Sequence, residues 1–185
     1  HIYLYFTESL SGLDEARHEN SRNVVYQYDW DGEKLTNPIL IKELPVIDEG
    51  GFHSHHGGVV TKGQNGEVYF VIGDQNQHGV FQNIPSGPIY ETGSIFKIDT
   101  ESDNSVELFA MGIRNSFGLA VDPVTGYLWD TENGQNVQLG FDEINLVKPR
   151  FDSGWFCIMG PSDREIYDLC TLKPKLSENF AYSNP

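Results

Sequence analysis

The chain repeats itself at a spacing of sixty residues. The stretch Gly58–Asp74, "GVVTKGQNGEVYFVIGD", lies over Gly118–Gly134, "GLAVDPVTGYLWDTENG", without a gap. Gly58 falls on Gly118, Gly66 on Gly126, Val68 on Leu128 and Tyr69 on Trp129. Each copy reads as a strand, a tight glycine turn and a second strand. A second element alternates with the first: "NVVYQYD", Asn23–Asp29, matches "GSIFKID", Gly93–Asp99, both ending in an acidic turn. Self-similarity at a fixed period marks a repeat architecture, and propeller blades run to about 40–50 residues per unit. A period of sixty suits a propeller with loops inserted on one face.

"IYLYFTES", Ile2–Ser9, resembles the second strand of each copy, so the chain enters its first unit partway through. The expectation is an all-β fold in which residues 1–185 form a partial β-propeller domain of three blades, the first incomplete. An open arc would leave long unpaired edges, which folded proteins avoid, and propellers close with about 4–8 blades. Residues 1–185 are therefore expected to be the central arc of a larger ring, with the true N-terminus elsewhere and the remaining blades or a partner chain completing it. A self-contained β-sandwich with fortuitous repeats is the alternative. The one stretch with a short-helix look is around Ser9 to Arg17, and it is polar with a glycine inside.

Twelve Lys and Arg against 27 Asp and Glu give a formal net charge of −15, which argues against a nucleic-acid partner because a polyanion would be repelled. No apolar run approaches the roughly 18 residues needed to span a bilayer. The acidity and the cysteine usage fit an extracellular or periplasmic protein. Cys157 and Cys170 are too few for a disulfide framework and match no zinc spacing; one bridge and two free thiols both remain open.

"GFHSHHGGVV", Gly51–Val60, places His53, His55 and His56 within four positions. On a strand His53 and His55 would share a face and His56 would point away. Three readings stand: a two-histidine metal site without an evident third ligand, a general base, or a polar loop. Asp74 closes "VIGD" and suits either a turn cap or a histidine's supporting carboxylate. Arg114 and Asn115 in "GIRNSFG" suit a surface ion pair or an inward-facing polar site. "DTESDNS", Asp99–Ser105, imitates a calcium loop but lacks its glycine at position six and carries Ala110 where a bidentate Glu is needed, so it reads as a solvated acidic turn.

Five elements occur in order: "HHGGVV…GEVYFVIGDQ", "GSIFKID", "GIRNSFGLAVDPVTGYLWDTENG", "DEINLV" and "FDSGW". Together they resemble the glucose/sorbosone dehydrogenase family, the soluble quinoprotein sugar dehydrogenases, which are six-bladed propellers using pyrroloquinoline quinone (PQQ) and calcium. The resemblance runs from Tyr3 to the end of the chain and covers the central half of a family member. It implies hydride transfer from an aldose or similar alcohol to the quinone, with His55 as general base, Asp74 supporting it, and Arg114 and Asn115 on the cofactor. Arg114 would also stabilise the reduced oxygen. An imidazole, which titrates near neutrality, suits the removal of a hydroxyl proton. Gly134 and Gln135 stand where the family's Gly-Pro pair offers backbone carbonyls to calcium, with Asp142 and Glu143 ordering that loop.

Three departures qualify the transfer. The family's "GPDG" turn is "GQNG" here, and Asn-Gly turns tightly too. The proline of the calcium pair is Gln135, and Arg150 occupies a glycine position that wants a positive φ. Further groups that grip the quinone in the family would lie beyond Pro185. The rival reading is a non-catalytic propeller binding protein or glycan at a cell surface; a plain extracellular metal-binding module ranks third.

Overall fold

The computed structural model describes residues 1–12, 21–47, 54–77, 91–135 and 141–156, and these form eleven β-strands with no helix among them. Strands β1 (Ile2–Ser9), β2 (Ser21–Trp30) and β3 (Leu35–Leu44) make one antiparallel sheet in the order β1-β2-β3. A second sheet contains β4 (Val60–Lys62), β5 (Val68–Ile72), β6 (Ser94–Asp99) and β7 (Ser105–Met111). The third holds β8 (Ser116–Val121), β9 (Leu128–Glu132) and β10 (Glu143–Val147) in the order β10-β9-β8. After β10 the chain returns to the second sheet, where β11 (Phe151–Asp152) pairs in parallel with β7.

The sixty-residue repeat is visible strand for strand. Strand β5 begins at Val68 and β9 at Leu128, and the glycine turns ahead of them place Gly66 at φ 95° and Gly126 at φ 74°. Only glycine adopts such angles without strain. Successive residues of β5 face opposite sides of the central sheet. Tyr69 and Val71 pack with Ile95, Ala110, Leu119, Leu128 and Val147 toward the third sheet. Val68, Phe70 and Ile72 pack with Val25, Leu44, Phe96 and Ile98 toward the first. That is why "VYFVI" is apolar at every position: a strand buried on both faces has no polar side to show. The sheets stack as blades, and the arc is all-β propeller.

The faces at the two ends of the arc are apolar as well. Ile2 and Leu4 on β1 are 40% and 37% exposed, and Leu40 on β3 is 43% exposed. On the third sheet Phe117, Trp129 and Ile144 are 70%, 39% and 53% exposed.

Several local expectations can be placed. Asp99–Ser105 is an acidic turn between β6 and β7, with Asp99 accepting from the Glu101 amide and Asp103 from the Ser105 amide. Arg150 sits at φ 67°, and its amide donates to the Phe109 carbonyl at 2.7 Å, which fixes the residue in that conformation. The helix-like stretch ends β1 at Ser9 and turns over residues 10–12; its residues 13–17, like His53, Cys157 and Cys170, lie outside the described residues. No helix among the described residues is long and apolar enough to cross a membrane.

Candidate functional site

The described part of the histidine run, from Ser54 on, is loop and not strand. Strand β4 starts only at Val60, and His55 has φ 59°, followed by Gly57 at 78° and Gly58 at 112°. An extended register cannot pass through left-handed residues, so the loop coils back over the end of β5. Gly57 is obligatory there, because a Cβ would lie 2.1 Å from the Val71 carbonyl oxygen. The coil turns His55 toward β5 and leaves His56 in the seam with the first sheet. There the His56 carbonyl accepts the Tyr5 hydroxyl at 2.5 Å, and its Nδ1 meets the Asn23 amide at 3.3 Å.

His55 Nδ1 lies 2.6 Å from Asp74 Oδ1, with the two side chains 12% and 2% exposed. A carboxylate at that distance holds the proton on Nδ1 and leaves Nε2 with its lone pair. Asp74 Oδ1 also accepts the Asn76 amide at 2.9 Å, so the same residue caps its turn and holds the histidine. Its other oxygen, Oδ2, accepts the Trp155 indole N–H at 2.7 Å.

Three loops meet at Gly73, where a Cβ would approach both the Arg114 and the His55 carbonyl oxygens to 2.6 Å. The Asp74 amide donates to the Arg114 carbonyl at 2.8 Å. Arg114 is half-buried; its guanidinium lies 5.3 Å from the Trp155 ring centre, and Nη1 donates to the Asn133 carbonyl at 3.1 Å. Asn115 follows, its carbonyl accepting the Asn133 amide at 2.9 Å. His55, Asp74 and Arg114 are thus brought together, with Asn115 beside them.

Gly134 begins the neighbouring loop. Its amide donates to Asp142 Oδ1 at 2.9 Å, and its Cα packs so closely that a Cβ would sit 2.1 Å from the Phe141 carbonyl. Gln135 is half-buried next to it. Among the described residues no group of three or more His, Cys, Asp or Glu side chains could hold a metal ion. Backbone carbonyls are a donor type that hard calcium accepts, and Gly134 is pinned on this loop by its contacts with Asp142 and Phe141.

Beneath these loops lies a buried acidic group on the inner face of the third sheet. Asp130, Glu132 and Glu143 are 0%, 1% and 7% exposed. Burial raises the Asp130 carboxyl to about 7, helped by repulsion from Glu143 and opposed by the Ser116 hydroxyl that donates to it. Glu132 is pushed well above the ordinary range by burial first, then by repulsion from Asp130 and Glu143. Asp130 Oδ2 has no hydrogen-bond partner among the described residues. Asn145 and Ser153 donate to Glu132 and Glu143 at 2.7–3.5 Å.

The sequence reading assigned no role to Trp155 or Glu132. Trp155 stood in the "FDSGW" element, but only the return strand β11 reveals that it reaches Asp74. Glu132 had a sharper signal. At the sixty-residue offset Asp130 and Glu132 replace Phe70 and Ile72, both fully buried, so acids stand where the other copy is core. A separate cavity of about 460 Å3, lined by His1, Tyr3, Val60, Lys62 and Thr100 among others, lies at the far end of β4 and β5 from His55.

Stacked blades with a histidine–carboxylate pair and an arginine on loops at one end define a propeller with an enzyme-like site. The sequence profile of the family described as Glucose / Sorbosone dehydrogenase matches residues 1–171, and the chain belongs to that family. It is 30% identical over an aligned 195 positions to Quinoprotein glucose dehydrogenase B of Acinetobacter calcoaceticus, covering 89% of this chain and 39% of that protein. It is 27% identical over 127 residues to Aldose sugar dehydrogenase YliI of Escherichia coli, covering 63% and 32%. In structure it is similar to the PQQ-bound form of an aldose sugar dehydrogenase from Streptomyces coelicolor, with a TM-score of 0.60 and 24% identity over 88% of this chain and 45% of that one. The chain thus spans about four-tenths of these curated relatives' length, or less.

Proposed function

We propose that the chain is the central arc of a quinoprotein sugar or alcohol dehydrogenase that passes hydride from an aldose or similar alcohol to PQQ. The observation that carries this reading is the hydrogen-bonded series Trp155–Asp74–His55, at 2.7 and 2.6 Å, beside the Arg114 guanidinium. A buried carboxylate on Nδ1 makes Nε2 a base of fixed tautomer and orientation, the arrangement that general-base catalysis needs. His55 takes the substrate hydroxyl proton at Nε2 as the carbon-bound hydrogen leaves with its electron pair. Asp74 orients the ring and stabilises the imidazolium, while Trp155 holds Asp74 in place. Bound PQQ supplies the two-electron acceptor.

Arg114 would hold that acceptor. Among the described residues its one side-chain hydrogen bond is to Asn133, so further N–H donors remain to meet a quinone oxygen that gains charge. Asn115 supplies an amide donor beside it, and the Gly134 and Gln135 carbonyls would hold calcium. The apolar outer faces of the first and third sheets support completion by further blades, because patches of this kind are normally covered. An extracellular or periplasmic location accords with this chemistry.

The test is calcium-dependent binding of PQQ, followed by absorbance, on the full-length gene product, with aldose oxidation measured in parallel. His55→Ala is expected to retain binding and lose about 10²–10⁴ in turnover. An intact protein that binds no quinone in the presence of calcium overturns the reading in favour of a non-catalytic binding propeller.

A further inference from the structure

Glu132 occupies a place where the fold asks for a hydrocarbon. Its counterpart sixty residues earlier is Ile72, a core residue, and both are buried to 1% exposure or less. A carboxyl group at such depth is costly unless its oxygens are used. Both oxygens of Glu132 are used, on two different arms of the candidate site. Oε1 accepts the backbone amide of Arg114. Oε2 accepts the Ser153 hydroxyl at 2.7 Å and the Asn145 amide at 3.5 Å.

The two arms meet again at Asp74. The Arg114 carbonyl accepts the Asp74 amide at 2.8 Å, and Asp74 Oδ2 accepts the indole of Trp155, two residues along from Ser153. The segment between is held stiffly: the Ser153 amide donates to the Met111 carbonyl at 3.0 Å, the Gly154 amide to Asp152 Oδ1 at 2.9 Å, and the Trp155 amide to the Gly112 carbonyl at 3.1 Å. The result is a closed circuit from Glu132 through Arg114, Asp74, Trp155 and Ser153 back to Glu132. We infer that Glu132 is a positioning residue, which fixes Arg114 against Trp155 and, through Trp155 and Asp74, sets the placement of His55.

The inference rests on the proposed dehydrogenase reading only for its catalytic consequence; the coupling itself is a property of the fold. Glu132→Gln keeps one acceptor for the Arg114 amide and offers an N–H to the Ser153 oxygen, so the circuit closes. Glu132→Ala opens it at both arms. The decisive readout is hydrogen exchange by NMR, in the full-length gene product, of the Arg114 amide and the Trp155 indole N–H, with the Val71 and Ile95 amides as core references. Glu132→Ala is expected to speed both reporters by roughly tenfold or more relative to the references, the scale of one lost buried hydrogen bond, while Glu132→Gln stays close to wild type. With PQQ and aldose, Glu132→Ala is expected to lower kcat by a similar roughly tenfold factor at little-changed KM, and Glu132→Gln to restore it.

Reporters that move no more than the core references overturn the inference, as does uniform acceleration of all amides, which marks plain destabilisation. A Glu132→Gln variant that behaves like Glu132→Ala overturns it too, since the charge rather than the bridge would then matter. If the wild-type protein oxidises no sugar, the exchange result still decides the coupling, and the dehydrogenase reading fails separately.

Discussion

Asp130→Asn tests whether the acidic group under the site is held proton-bearing by its surroundings. Burial lifts the Asp130 carboxyl from an ordinary 3.8 to about 7, a difference of about 4 kcal/mol between its two protonation states. The folded chain therefore holds this proton more tightly than the unfolded chain does. The stabilisation is fully present below about pH 4 and is lost as pH rises toward 7, with a slope of up to about 1.4 kcal/mol per pH unit from this one group. Glu132 is raised as well and adds to the same trend; repulsion from Asp130 is among its causes, so neutralising Asp130 also relaxes Glu132. The turn carboxylates Asp31, Asp103 and Asp122 act in the opposite sense: their backbone and hydroxyl hydrogen bonds hold them below 3.8, and what they contribute disappears only in stronger acid.

Asparagine matches the neutral carboxyl in shape, accepts from Ser116 and does not titrate. Its N–H2 stands where Oδ2 has no partner, at a cost of about 1–3 kcal/mol. At pH 5 the variant is therefore expected to be slightly less stable than wild type. At pH 8, where wild type holds an unpaired buried charge or must open to release it, the variant is expected to be more stable by about 1–3 kcal/mol, a rise of several degrees in Tm. Thermal unfolding by circular dichroism at the two pH values, on both proteins, reads the difference. A Tm offset between variant and wild type that is the same at pH 5 and pH 8, or one that favours wild type more at pH 8, refutes the reasoning.

Other substitutions probe the loops one at a time. Gly57→Ala forces a Cβ to within 2.1 Å of the Val71 carbonyl at φ 78°, and a loss of about 2–5 kcal/mol in chemical denaturation is expected. Trp155→Phe keeps an aromatic ring but removes the pyrrole half with its donor to Asp74 Oδ2, so stability is expected to fall by about 1–3 kcal/mol, read by Tm, without loss of the fold. Arg114→Lys keeps the charge but loses the planar guanidinium over Trp155 and its fork of donors; PQQ affinity, measured by titration, is expected to weaken by roughly tenfold while Tm changes little.

Much of this architecture was legible in the sequence because a repeat constrains backbone directly. Two copies with glycines at matched places must turn at matched places, and β5 and β9 start sixty residues apart as Val68 and Leu128 imply. Arg150 was legible from the family resemblance, which puts a glycine there: a position that wants a positive φ keeps it whatever the side chain. The histidine run stayed open among a metal site, a base and a polar loop because the path of His55 depends on Gly57, whose close approach to Val71 appears only in three dimensions. Trp155 was hidden by topology. Its route depends on a two-residue parallel pairing of β11 with β7, a contact across some forty positions that no local pattern announces.

The deeper reason lies in how the two copies differ. Positions that agree between them, such as Gly66 with Gly126 or Val68 with Leu128, are those that the blade itself requires. Chemistry collects where they disagree. Ile72 gives way to Glu132 and Phe70 to Asp130, turning two core positions into a polar seam under the loops. After β5 the chain runs Gly73-Asp74, which supplies the partner of His55; after β9 it runs Asn133-Gly134, which receives Arg114 and meets Asp142. Glu132, Asp74 and Asn133 are each tied by a hydrogen bond to Arg114, through its amide, its carbonyl and its guanidinium. A repeat therefore reveals its fold through its agreements and its site through its exceptions, and for this chain the exceptions converge on the loops around His55 and Arg114.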